Sequence, residues 1–129
     1  LKNRKGPLRG GPRFAYDGLN RVIHERARLS LLTSLMTHSK GLTFAELKAF
    51  CALTDGNLNR HLQVLEEARL VTVTKNHSGG RTQTRCRISA AGRKRYLEYL
   101  AVLEQVIVDG AAGAKQDPRP SMSRGSAPA

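Results

Sequence analysis

The spacing of apolar residues divides the chain into segments of different period. From Leu19 to Met36 they fall at Leu19, Val22, Ile23, Ala27, Leu31, Leu32, Leu35 and Met36. Steps of three and four predict an amphipathic helix, with Asp17 as its N-cap. "HSKG" ends it. "LTFAEL" opens a second, short helix. Thr43 and Glu46 have the spacing of a capping box, Leu42 can staple against Leu47, and the pattern runs out near Ala52. Thr54 is placed to cap a third helix, over about Asp55 to Ala68, with Leu58, Leu62 and Leu65 as its apolar stripe. The period then drops to two. "VTVT" and "TRCRIS" are strand-like runs joined by "KNHSGGRTQ", a hairpin with Gly79-Gly80 near its tip. Along the second run Thr84, Cys86 and Ile88 share one face, and Arg85 and Arg87 the other. Ser89 can cap a last helix to about Val108, whose apolar positions include Tyr96, Leu97, Tyr99, Leu100, Leu103, Val106 and Ile107.

The order is helix, helix, helix, hairpin, helix: a mainly α domain with a small β-hairpin. The second and third helices are joined almost directly, which is the mark of a helix-turn-helix. A chain of 129 residues suits one domain. It can bury a core without disulfides or metal. Outside the periodic part, residues 1–16, "LKNRKGPLRGGPRFAY", hold five basic residues and no acid. They read as a flexible basic arm. Residues 110–129, rich in Ala, Gly, Pro and Ser, read as a disordered tail. The folded unit is therefore residues 17–109.

Charge changes the picture from fold to partner. The formal net charge is +12 and the pI about 10.7. Basicity of this degree points to nucleic acid first and an anionic membrane second. The charge lies on a hairpin and an arm rather than along an amphipathic helix, which disfavours the membrane. No apolar run reaches the roughly 18 residues of a membrane span, and no signal-peptide pattern is present. Cys51 and Cys86 sit inside apolar patterns as small buried hydrophobes, which fits a reducing, cytoplasmic setting. No Gly-rich phosphate loop, carboxylate pair or nucleophile with a base is in view, so the reading is not an enzyme. His24, His38, His61 and His77 lie in four different elements without metal spacing, so no metal or cofactor is expected.

The third helix has the division of labour that duplex reading needs. Its leucines point to the core, while Gly56, Asn57, Asn59, Arg60 and Gln63 lie off that stripe. Asn, Gln and Arg can make two-pronged contacts with adenine or guanine in the major groove. Gly56 and the free N–H groups of the helix start favour close approach to phosphate. The hairpin that follows carries Lys75, His77, Arg81, Arg85 and Arg87, and no acid lies between Glu67 and Glu98. Such a hairpin can grip the backbone without reading sequence.

"LTDGNLNRHLQVLEEARLV", a Gly-centred hairpin and "RCRISAAGRKRY" together resemble the winged helix-turn-helix of bacterial transcriptional regulators, the MarR and ArsR superfamilies above all. The resemblance covers about Ile23 to Leu103. It implies a homodimer on a pseudo-palindromic operator, a recognition helix over 54–68 and a wing over 71–88. Thr54, Gly56, Asn57, Asn59, Arg60 and Gln63 then fall on the recognition helix, with His61 either a further DNA contact or packed beside Leu65, and Lys75 to Arg85 on the wing. Two departures stand out. Arg69 occupies the place where such families have Gly at the exit from the recognition helix. The clustered cysteines of metal-sensing relatives are missing.

The first and last helices supply a dimer surface in this reading: Leu19, Val22 and Ile23 with Tyr96, Leu100, Leu103 and Ile107. A small-molecule effector would enter between those helices or near the dimer seam, where His24, Glu25 and Arg26 either line a site or form a solvated helix face. The function expected is a dimeric double-stranded-DNA-binding transcriptional regulator, a repressor by preference. The competing reading is a winged helix that meets RNA or an acidic protein, which would show no preferred DNA sequence.

Overall fold

The computed structural model describes residues 12–116. They form α1 (Arg26–Met36), β1 (Leu42–Thr43), α2 (Phe44–Cys51), α3 (Asp55–Glu67), β2 (Val71–Ser78), β3 (Arg81–Ile88) and α4 (Ala90–Gln116). The chain falls into two compact units. One is Asp17–Tyr99. Among the described residues, the other comprises 12–16 and α4 from Leu100 onward.

The larger unit is the four-helix, winged arrangement that the apolar periods predict, with some boundaries moved. α1 begins at Arg26, not at Leu19. Asn20 Oδ1 accepts from the backbone N–H of Val22 (2.8 Å) and of Ile23 (3.3 Å), which gives this segment a turn in place of a helix. Glu25 then takes extended backbone, and its carboxylate accepts from the Arg28 N–H at 2.8 Å. Glu25, not Asp17, is the N-cap. At Thr43 and Thr54 the expected caps are in place: Thr43 and Glu46 form a full capping box, and Thr54 Oγ1 accepts from the Asn57 N–H at 3.2 Å. Between α2 and α3, Ala52 adopts a left-handed φ of 55°, which turns the chain within three residues.

The sheet has three strands where the sequence pattern shows two. Leu42 and Thr43 pair with Cys86 and Arg85, so the antiparallel order is β1-β3-β2. The hairpin is also longer and tighter than its apolar pattern suggests. β2 and β3 pair without a break from Val71↔Ile88 to Ser78↔Arg81. Only Gly79 and Gly80 remain as the turn, with φ of 59° and 75°. Positive φ at both central positions is the mark of the type I′ turn, whose twist matches that of its strands.

The core gathers Leu31, Leu32 and Leu35 of α1, Leu47 of α2, the α3 leucines and Cys86, all shielded from solvent. Both cysteines are free and buried. Burial pushes the Cys86 thiol up to about 12, so it stays protonated at neutral pH. Two residues expected on a dimer surface belong to this core instead. Ile23 is fully buried, and Tyr96 is 6% exposed with its hydroxyl 2.7 Å from Thr33 Oγ1. The Asn20 turn folds Ile23 inward, and the Tyr96 hydroxyl finds a partner on α1 within the same chain. Leu19 and Val22 are half-buried.

In the smaller unit α4 continues to Gln116, past the expected end near Val108. Residues 110–116, expected to be tail, are helical, and the helix runs through Gly110 and Gly113. Tyr16 donates a 2.6 Å hydrogen bond to Asp109 Oδ2. Residues 1–11 and 117–129, on which the expected arm and tail largely fall, lie outside the described residues.

Candidate nucleic-acid interface

Three leucines hold α3 in place. Leu58, Leu62 and Leu65 are at most 3% exposed, and burial of each contributes about 1.5–3 kcal/mol. The opposite face is left to solvent. Thr54, Gly56, Asn57, Asn59, Arg60 and Gln63 are all exposed. A side chain at Gly56 would meet nothing within the chain, so packing does not require Gly there.

The exposed side chains are partly ordered by one another. Arg60 donates to Asn57 Oδ1 at 3.1 Å, which occupies that amide's acceptor and leaves its two N–H donors free. Gln63 donates to Glu67 Oε2 at 3.4 Å. Asp55, the acid at the head of the exposed face, is paired: Lys48 Nζ of α2 stands 2.6 Å from its Oδ1. Lys48 carries no signal in the sequence pattern, because its partner lies seven positions away across the turn.

His61 does not belong to this face. It is 6% exposed, and its Nδ1 lies 3.2 Å from a guanidinium nitrogen of Arg28. The expected DNA contact is therefore a core residue. On α3 it follows Arg60 but falls beside Leu58, Leu62 and Leu65 on the buried side, where the 3.6-residue turn places it.

The wing divides its basic residues by face. Cross-strand partners share a side of the sheet. The pairs Lys75↔Thr84 and His77↔Thr82 put Lys75 and His77 on the side of Cys86. Arg81, Arg85 and Arg87 fall on the other side. Lys75, His77, Arg81 and Arg87 are exposed. Arg85 is half-buried and donates to the Gly41 carbonyl at 3.2 Å, so it is turned back onto the domain rather than held out as a free cation. β1, which the apolar pattern misses, is what brings Gly41 within its reach.

Arg69, in the expected glycine position, has φ of 64°. The left-handed exit from α3 is thus present with a non-glycine residue in it. Ser89 secures that exit: its hydroxyl donates to the Arg69 carbonyl at 2.8 Å and accepts from the Gly92 N–H at 2.8 Å, capping α4.

Of the three residues considered for an effector, two are engaged within the chain. His24 Nδ1 is 2.7 Å from the Tyr99 hydroxyl, Glu25 caps α1, and Arg26 is exposed. An open groove of about 380 Å³ runs instead along α1 beside Phe50, lined by Leu29, Ser30, Thr33, Ser34 and Thr37. Among the described residues no group of His, Cys, Asp and Glu is arranged to hold a metal ion, and no helix is long and apolar enough to cross a membrane.

Comparison with known proteins agrees with this geometry. The family model described as "Winged helix DNA-binding domain" matches residues 27–107. The sequence is 33% identical over 89 residues to an uncharacterized protein of Methanocaldococcus jannaschii, a match that spans 67% of this chain and 92% of that one. The fold is similar to that of a transcriptional regulator homologue from Pyrococcus horikoshii, with a TM-score of 0.65, 29% identity, and coverage of 70% of this chain and 87% of that one. It is also similar to the transcriptional regulator MosR of M. tuberculosis in complex with DNA, with a TM-score of 0.58, 24% identity, and coverage of 84% and 78%.

Proposed function

This chain belongs to the winged helix DNA-binding domain family, and on that premise we propose that it is a sequence-specific, double-stranded-DNA-binding regulator of transcription. In this reading it binds a pseudo-palindromic operator as a homodimer and represses by occupying it. The observation that carries the reading is the division of α3, whose leucine stripe is buried while Asn57, Asn59, Arg60 and Gln63 face solvent. Arg60 and Asn57 read base edges in the major groove. Thr54, Gly56 and the N–H groups at the start of α3 meet a phosphate. Lys75, His77, Arg81 and Arg87 add backbone contacts from the wing, which strengthen binding without reading sequence. The dimer forms through the far part of α4, where Leu100, Leu103 and Ile107 lie at helical spacing. Leu97 and Val108 extend this exposed apolar surface. The regulators named among its structural relatives, one of them solved with DNA, support the same assignment.

The test is selection from fragmented genomic DNA at about 200 mM salt, where non-specific phosphate binding is suppressed. The expected result is enrichment of an inverted repeat whose half-site centres are about one helical turn apart. A bound pool indistinguishable from the input would overturn the reading.

A further inference from the structure

Among the described residues His61 is the one buried side chain of polar or charged type, and it lies on the helix assigned to base reading. Its Nδ1 is 3.2 Å from a guanidinium nitrogen of Arg28 and 3.7 Å from Glu25 Oε1. A guanidinium has donors only, so Nδ1 accepts. The ring is then neutral, with its proton on Nε2. The same Arg28 donates through Nε to the Val22 carbonyl at 2.6 Å, and its backbone N–H is capped by Glu25 at 2.8 Å. Through its side chain Arg28 thus ties α3 to the turn before α1, and through its backbone N–H it engages the cap of α1. His61 directly follows Arg60 and stands one helical turn after Asn57. A small rotation of α3 at His61 swings both of those side chains.

We propose that Arg28 and His61 are positioning residues for base reading: neutral His61, held by Arg28, sets the rotation of α3 about its axis, and protonation of the ring releases that setting. The proposal rests on α3 being the base-reading helix. The charges that face the ring are Glu25 ahead of α1, Arg28 on α1, and Arg60 on α3 itself. Burial first, and the two arginines after it, hold the ring below the ordinary histidine range, while Glu25 pulls the other way. The ring is therefore neutral at physiological pH and takes its proton only below the ordinary histidine range. A protonated Nδ1 can no longer accept from Arg28. It turns to Glu25 instead, and so draws on the cap of α1.

The experiment uses the full chain with two duplexes: one carrying the sequence enriched from genomic DNA, one of random sequence. Their affinity ratio is measured from about pH 7.5, where a histidine is neutral, down to the lowest pH at which the chain stays folded. The ratio cancels phosphate binding by exposed groups such as His77. The expected result is a progressive loss of the ratio in the native chain once the pH falls below the ordinary histidine range. His61→Asn keeps a neutral acceptor near the place of Nδ1 and should flatten the profile. Arg28→Lys, which loses the planar fork that reaches Val22 and His61 from two nitrogens, should lower the ratio at the upper pH, because selected-duplex binding falls more than random-duplex binding. A second measurement needs no variant: nitrogen NMR of the histidine rings should show His61 neutral at about pH 7.5 with its proton on Nε2, the tautomer that can accept at Nδ1. A flat profile in the native chain, an equal fall in His61→Asn, or a proton on Nδ1 would each overturn the proposal. Absence of any sequence preference at every pH would instead remove the base-reading role of α3 on which it rests.

Discussion

Asp55 sits at the start of the face proposed to approach a polyanion, and an unpaired carboxylate there would repel phosphate. Its side chain is 80% exposed, so the 2.6 Å pair with Lys48 adds little to folding. The pair acts on binding instead: Lys48 cancels the charge of Asp55 while leaving it near the positive end of the α3 dipole. Lys48→Ala should weaken binding to every duplex by up to about fivefold, the upper range of an exposed pair. Asp55→Asn in that background should restore it. The check is a double-mutant cycle on a random and a selected duplex. An equal loss from Lys48→Ala in the Asp55→Asn background would mean that Lys48 touches phosphate itself. Residues that read bases behave differently. Arg60→Ala should relax base preference at one position at a cost of about 1–3 kcal/mol, whereas Arg81→Ala should weaken all duplexes alike and flatten the salt dependence. Competition binding against single-base operator variants separates the two. Much of this face was legible from residue type and period, because Asn, Arg and Gln opposite a leucine stripe carry a direct signal. His61 was not, since a histidine beside the stripe suits either side of the helix. Only its neighbour across space, Arg28 on α1, decides the side.

At the scale of elements, caps and turns carried the sequence reading further than apolar spacing did. Thr43, Thr54 and Ser89 cap where their chemistry says they should. The apolar run from Leu19 misled because a helical period says nothing of an asparagine whose side chain closes a turn two and three residues on. β1 escaped because two residues hold no period. The start of α4 shows a constraint that propensity alone reverses in sign. A methyl on Gly92 would stand 2.0 Å from the Leu70 carbonyl oxygen, the atom that accepts from the Ser89 N–H at 2.9 Å. Helix propensity favours Ala over Gly by about 1 kcal/mol in a helix interior. Backbone cannot give way as a flexible side chain can, so the clash wins. Gly92→Ala should destabilise the chain by about 1–3 kcal/mol, in the manner of an overpacked core. Urea unfolding of native and variant chains measures it, and a gain in stability would show that α4 docks less closely at Leu70 than described here.

For the whole molecule, a single recognition helix and wing make few base contacts, while two heads on a two-fold axis double them and set the half-site spacing. The sequence reading placed the dimer surface on both terminal helices. The structure buries Ile23 and Tyr96 within one chain, which moves the proposed surface outward along α4. There Leu100 and Ile107 are 37% and 63% exposed. An exposed apolar stripe of this kind on a helix calls for a partner, and a second copy presents the same stripe to it. Leu100→Glu with Ile107→Glu keeps good helix formers at solvent-facing positions, so each chain should still fold. Sedimentation should then show a monomer. Linking two heads raises avidity about 10²–10⁴-fold without any new contact. The variant should therefore lose at least about a hundredfold in affinity for the inverted repeat, while a single half-site is bound as by the native chain. Loss on both duplexes would point to damage of the reading head. Native affinity for the repeat from a sedimenting monomer would mean that the two half-sites are filled independently, and α4 would then need another partner.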